Sequence, residues 1–354
     1  GTLWSPHESP QDPVIAWSII LNGGLSSGPV VDSKGIIYIP SMEPRLHAIS
    51  PTGEALWSVN LPNLPLGYPA LTASGLVYIG DNKGGLTLIR PDKSVVEIVK
   101  GVSTKSPALT GPLVASDNSV YYATTDSFYG ITSDAKVKWK KPLPTYSITS
   151  PIIRLTRDDQ YLVFEDFIIR ADNGEIIIRN SPDPLDRLII GANGQIYRLT
   201  QAFIEQVTLE SKETDNPQRI KWDSRALGTS FRYPRNAGLT PDGKIWLHFG
   251  NIYEFNRLVW LDANGVNINI FDYPYRGGIT LIIGIDKNNT VILCGSNTNL
   301  PIDQSSGECR ANSIQSSSSI WTLPVEGIPV GGALINNRLY IATESGNLYA
   351  IETK

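Results

Sequence analysis

The chain has 354 residues, 18% of them charged, and a formal net charge of -4, which excludes nucleic-acid binding over the whole surface. Hydrophobic residues make up 41%, with 8 Trp and 15 Tyr, enough to bury a large core and to exclude disorder. No apolar run approaches the roughly 20 residues of a membrane-spanning helix. The opening GTLWSPHESP has neither the basic nor the apolar region of a signal peptide, so none is expected within this sequence.

In chain order, Ser26-Ser27-Gly28-Pro29-Val30-Val31 leads into a DSKG turn, the strand Ile36-Ile37-Tyr38-Ile39 and the strand Arg45-Leu46-His47-Ala48-Ile49. An SPTG turn and Ala55-Leu56-Trp57-Ser58-Val59 complete the unit. A second copy reads GYPALTASGLVYIG and GLTLIRPDKSVVEIV. A third reads KSPALTGPLVASDNSVYYAT and FYGITSDAKVKWKK. Each spans about 40 residues and holds four short β-like runs, the size of one propeller blade.

Weaker copies start at Thr149-Ser150-Pro151, near Arg187, near Asn236 and near Gly278, and the last reads GGALINNRLYIATESGNLYAIETK from Gly331. That copy ends after three strands, and Ile15-Ala16-Trp17-Ser18-Ile19 matches the missing fourth, Leu56-Trp57-Ser58-Val59. The expectation is a single all-β domain over 1–354, an eight-bladed β-propeller of four-stranded antiparallel blades. The strand at about 14–20 would close the blade at 329–354 and remove two open sheet edges. Trp17, Trp57, Trp139, Trp222 and Trp321 recur at the blade spacing on outer strands and are read as inter-blade packing. Two insertions are expected between third and fourth strands, around Ser211 to Arg219 and Pro301 to Ser319.

The phrases SSGPVVDSKGIIYI, LHAISPTGEALW and GNLYAIETK resemble the pyrroloquinoline-quinone-like propeller repeat. The resemblance covers nearly the whole chain, clearly in blades one to three and eight. It implies the fold more than the function, because the same repeat serves quinone-dependent dehydrogenases and a non-enzymatic outer-membrane assembly lipoprotein. The dehydrogenases carry a vicinal disulfide and a Glu, Asn and Asp calcium set. Cys294 and Cys309 are not adjacent, and the calcium set has no residue-by-residue counterpart here, so no cofactor is expected.

Cys294 and Cys309 are the only cysteines. They flank a polar stretch and are expected to bridge if the protein matures in an oxidising compartment; two separate thiols are the alternative. His7, His47 and His248 lack a Cys or His partner at ligand spacing, so no metal site is expected. Asp262-Ala263-Asn264-Gly265 reads as a hairpin turn, and Asn288-Asn289-Thr290 is a glycosylation sequon of the kind that arises by chance. No nucleophile elbow, P-loop or dinucleotide fingerprint occurs.

In a propeller the segments entering the first strands surround one mouth of the central channel. Here they carry Tyr68, Lys105, Tyr146, Arg187, Phe231, Arg232, Tyr233, Arg235, Tyr273, Tyr275 and Arg276. Forked guanidinium donors beside tyrosine faces suit a carboxylate or sulfate on a protein or acidic glycan. Alternatively the arginines pair with Asp183, Asp186 or Asp272 and the tyrosines pack on the rim. The leading expectation is a secreted, periplasmic or cell-envelope binding or scaffold propeller, monomeric and non-catalytic. The alternatives are a polysaccharide lyase using a Tyr and Arg pair and, behind it, a quinone-dependent dehydrogenase.

Overall fold

The computed structural model describes residues 5–143, 153–164, 167–179, 187–190, 196–199, 203–206, 219–221, 236–249, 256–262, 267–273, 281–296, 306–313 and 319–354. Turn chemistry sets the strand spacing. Gly35, Gly53 and Gly75 take φ of +80°, +88° and +84° in their hairpins, a region open to glycine at little cost. Between such turns the apolar runs pair as antiparallel strands, and the strands group into eight four-stranded sheets. Seven are continuous in sequence, running over 30–60, 70–99, 113–142, 153–179, 187–221, 236–273 and 281–326, and are called blades one to seven.

The eighth sheet joins Pro329–Ile335, Arg338–Thr343 and Asn347–Thr353 to Pro13–Ile20 from the other end of the chain. Ile15 lies opposite Ile351, Trp17 opposite Ala350 and Ile19 opposite Leu348. The ladder therefore satisfies two edges that would otherwise stay open.

Burial follows strand position. In blade one the second strand, Ile37–Ser41, is buried throughout, whereas the outer strand, Ala55–Asn60, alternates between exposed and half-buried. A middle strand is covered on both faces by neighbouring blades, so its apolar run is continuous rather than alternating. The core accordingly lies between blades. Tyr38, Leu46 and Ala48 of blade one pack with Val77, Ile79 and Ile89 of blade two. Ile37 and Ile39 pack on the other side with Leu348 and Ala350 of blade eight.

The outer strands share a bulge. In the register, one extra residue precedes the tryptophan, namely Ala16, Leu56, Lys138 and Ile320 in blades eight, one, three and seven. A bulge bends the strand and re-aims the next side chain. Trp17 then donates its indole N–H to the Pro51 carbonyl of blade one at 2.9 Å, and Trp139 to Ala171 of blade four at 3.1 Å. Three of these tryptophans also meet a tyrosine from the second strand of their own blade. The pairs are Trp17–Tyr340, Trp57–Tyr38 and Trp139–Tyr121, with ring centroids 6.2, 5.9 and 6.1 Å apart. Trp222 lies outside the described residues.

Blade seven corrects one sequence expectation. Pro301 to Ser319 is not an insertion ahead of the fourth strand, because Ser306–Ser313 within it forms the third strand. Its polar residues hid it: Gly307, Glu308, Cys309, Ala311 and Asn312 are all buried. Cys294 and Cys309 are bridged, and they stand directly opposite each other on neighbouring strands rather than at the ends of a loop. The other expected insertion, up to Pro217 and Gln218, lies outside the described residues, and Arg219 opens the fourth strand of blade five.

A feature with no sequence signal precedes the closing strand. Ser5 donates its amide to the Ile285 carbonyl at 2.7 Å, and Lys287 donates its amide to His7 at 3.2 Å. Ser9 donates both its amide and its hydroxyl to the fully buried Asp286 carboxylate, at 3.0 and 2.8 Å. Trp321 donates its indole N–H to Pro10 at 2.8 Å. Residues 5–12 thus strap blades seven and eight together before the chain enters the closing strand.

Candidate binding surfaces

Of the eleven residues expected around the channel mouth, Tyr68 and Lys105 have described side chains. Lys105 is exposed on the segment entering blade three, where its carbonyl accepts the Thr125 hydroxyl at 3.3 Å. Tyr68 reaches from the entry of blade two across Gly28 of blade one to Gly331 and Gly332 of blade eight. A Cβ at Gly28 would stand 2.5 Å from Tyr68 Cε1, and one at Gly331 would stand 2.6 Å from its hydroxyl. The residue is 42% exposed while its hydroxyl sits beside Gly331. Burial pushes its phenol upward, opposed in part by the Gly332 and Gly28 amides.

Arg187 opens the first strand of blade five, opposite Leu199, and Tyr273 ends the outer strand of blade six, opposite Asn256. Tyr146, Phe231, Arg232, Tyr233, Arg235, Tyr275 and Arg276 lie outside the described residues.

A second concavity was not anticipated. Between blades three and four lies a cleft of about 270 Å³. Blade three contributes Asp117, Tyr121 and Trp139, and blade four contributes Asp159, Tyr161 and Asp172. Local turns hold the carboxylates in place. Asp117 accepts the Ser119 amide at 2.8 Å and its hydroxyl at 2.9 Å. Asp159 accepts the Ser116 amide across the blade boundary at 2.8 Å. Asp172 receives a forked contact from Arg170 at 3.1 and 3.2 Å, which holds its carboxyl below the ordinary range.

Tyr121 forms the inner wall, only 7% exposed. Burial first, then the charges of Asp117, Asp159 and Asp172, push its phenol up to about 12. Its hydroxyl has no hydrogen-bond partner among the described residues, unlike those of its counterparts in two other blades. Tyr38 donates to Asp32 at 3.1 Å, and Tyr340 pairs with the Arg338 side chain. Tyr78, the counterpart in blade two, is sealed away from solvent. The difference is local: Ala115 stands in blade three where Asp32 stands in blade one, since each donates its amide across the equivalent hairpin, to Ser119 and Ile36.

His47 is half-buried in blade one, and its Nε2 lies 3.0 Å from Ser41 Oγ. Because Ser41 donates its proton to the Glu43 carbonyl at 2.7 Å, Nε2 is the donor in this contact. Among the described residues, no group of three or more His, Cys, Asp or Glu is placed to hold a metal ion, and no helix is long and apolar enough to cross a membrane.

Comparison with known proteins agrees with this architecture. A family model described as outer membrane protein assembly factor BamB matches residues 2–97. Among solved structures, BamB from Moraxella catarrhalis superposes with a TM-score of 0.67 at 12% identity, covering 96% of this chain and 99% of that one. Virginiamycin B lyase from Staphylococcus aureus gives 0.55 at 14% identity, covering 97% and 100%. The dihydro-heme d1 dehydrogenase NirN gives 0.57 at 15% identity, covering 87% and 68%. No curated protein matches the sequence. In its repeat phrases, in the match over residues 2–97 and in this fold, the chain is similar to the β-propellers built from the pyrroloquinoline-quinone-like repeat.

Proposed function

We propose that this protein is a protein-binding scaffold of the cell envelope, acting as one domain. The observation that carries the reading is the likeness to BamB, an outer membrane protein assembly factor, over nearly the full length of both chains. The buried Cys294–Cys309 bridge supports maturation in an oxidising compartment. A propeller suits a scaffold because its faces are rigid and each blade offers its own set of loops. Most of the arginines and tyrosines on which the lyase alternative draws lie outside the described residues, and no observation among the described residues favours it.

The test is cross-linking of the tagged protein in its own cells, followed by fractionation and mass spectrometry. A scaffold yields a reproducible envelope protein at near-equal stoichiometry. Recovery of the protein alone from the cytosol overturns the reading.

A further inference from the structure

We infer that the cleft between blades three and four receives one basic side chain, Lys or Arg, from a protein partner. The inference rests on the scaffold reading and gives that scaffold a specific point of contact.

The cleft's volume of about 270 Å³ falls below the range typical of small-molecule pockets, roughly 300–1,000 Å³, and suits a single long side chain. Its inner wall presents a polar group that the fold leaves unsatisfied. Tyr121 is 7% exposed, and its hydroxyl lacks the partner that Asp32 supplies to Tyr38. Unlike the Tyr78 hydroxyl, that of Tyr121 is not sealed from solvent, so a ligand or water in the cleft can complete it.

Charge selects the kind of ligand. Asp172 is balanced by Arg170, but Asp117 and Asp159 carry no cationic partner among the described residues. Both act on Tyr121 as negative charges. An entering guanidinium or ammonium would donate to the Tyr121 oxygen and balance these carboxylates together. The apolar stem of the side chain would lie along Trp139 and Tyr161, as long cationic side chains do beside aromatic rings. Lys138, the remaining cation of the lining, is exposed on the outer-strand bulge, where its chain is free to swing away from an incoming charge.

The probe is Nα-acetyl-arginine amide, compared with Nα-acetyl-citrulline amide, which keeps the shape and lacks the charge. Binding is followed through the indole ¹⁵N–¹H resonance of Trp139, assigned by its loss in Trp139→Phe. The arginine amide should shift that resonance saturably and bind at least about ten-fold more tightly than the citrulline amide. Asp117→Asn with Asp159→Asn should abolish the preference, and Tyr121→Phe should weaken binding several-fold while melting stays near wild type. Equal responses to the two amides overturn the proposal, as does an unchanged preference in the double variant. Tighter binding of a neutral hexose than of the arginine amide also overturns it and assigns the cleft to a sugar.

Cross-linking of wild type and double variant in cells separates this proposal from the scaffold reading. Equal recovery of one partner by both, without arginine preference, removes the cleft and keeps the scaffold. Arginine preference without any recovered partner keeps the cleft and removes the scaffold.

Discussion

The indole N–H of Trp321 donates to the Pro10 carbonyl at 2.8 Å, tying the outer strand of blade seven to the segment ahead of the closing strand. The same segment places Ser9 on the buried Asp286 carboxylate. Ser9→Ala removes one of two contacts from that serine to a buried charge, and bonds of this type contribute about 1.5–3 kcal/mol. A loss of that size is expected as a lower urea midpoint at unchanged m-value. An unchanged midpoint would show that water replaces the hydroxyl.

The closing ladder makes a second prediction. Removing residues 1–20 bares the edge of Asn347–Thr353, which otherwise pairs with Pro13–Ile20. Unpaired edges template association between chains, so the truncated protein should aggregate in light scattering at concentrations where the full chain stays dispersed.

The Cys294–Cys309 bridge, with a sequence separation of 15, should contribute on the order of 3 kcal/mol by restricting the unfolded chain. Both sulfurs are fully buried, so alkylation of the native protein without reductant should modify neither cysteine. A mild reductant should open the bridge only at denaturant concentrations that unfold blade seven. Two alkylated thiols in the unreduced, unfolded protein would refute the bridge.

Gly331 abuts another backbone. Its φ is not positive, yet a Cβ there would stand 2.2 Å from the Gly28 amide nitrogen and 2.6 Å from the Tyr68 hydroxyl. Gly331→Ala should cost roughly 1–3 kcal/mol through forced backbone shifts. Adding Tyr68→Ala should not restore the loss, because the nearest obstacle is main chain; rescue by that second change would locate the strain in the tyrosine instead.

His47 should make stability depend on pH. Burial, then Arg45, holds its imidazole below the ordinary value of 6.5, opposed by Glu43. Below that value the unfolded chain binds a proton that the folded chain refuses. The contribution is therefore complete above pH 6.5 and declines as pH falls toward the depressed folded value. His47→Gln, compared with wild type by urea titration between pH 7.5 and 5, should show a shallower decline; parallel curves would remove His47 as a cause.

The closing strand was legible because Trp17-Ser18 repeats Trp57-Ser58, so a spare strand announced itself at one end and a vacancy at the other. The tryptophan period was legible too, but its hydrogen-bond partners were not, since the bulge that aims each indole depends on strand register. Ser306–Ser313 went unseen because a strand covered on both faces by small and cross-linked residues shows neither alternation nor an apolar run. The strap at residues 5–12 makes bonds at separations of 277 to 342 residues, beyond any local pattern. The cleft did leave a trace: aligned copies show Ala115 where blade one has Asp32, a change that strands Tyr121. Recognising it as a site still required the neighbouring blade to bring Asp159 and Asp172 alongside.

Gln11 bonds Thr353 across 342 positions of sequence, so the ring is sealed by residues made far apart in time. The entropic cost of that long closure grows only as the logarithm of chain length, but the search for it is slow. Throughout elongation, Pro13–Ile20 must wait for a partner that does not yet exist. A chain interrupted anywhere before Asn347 leaves an unmatched strand at its start and an open sheet at its end. Those two edges mark every incomplete copy for chaperones and proteases and vanish once the last strand docks.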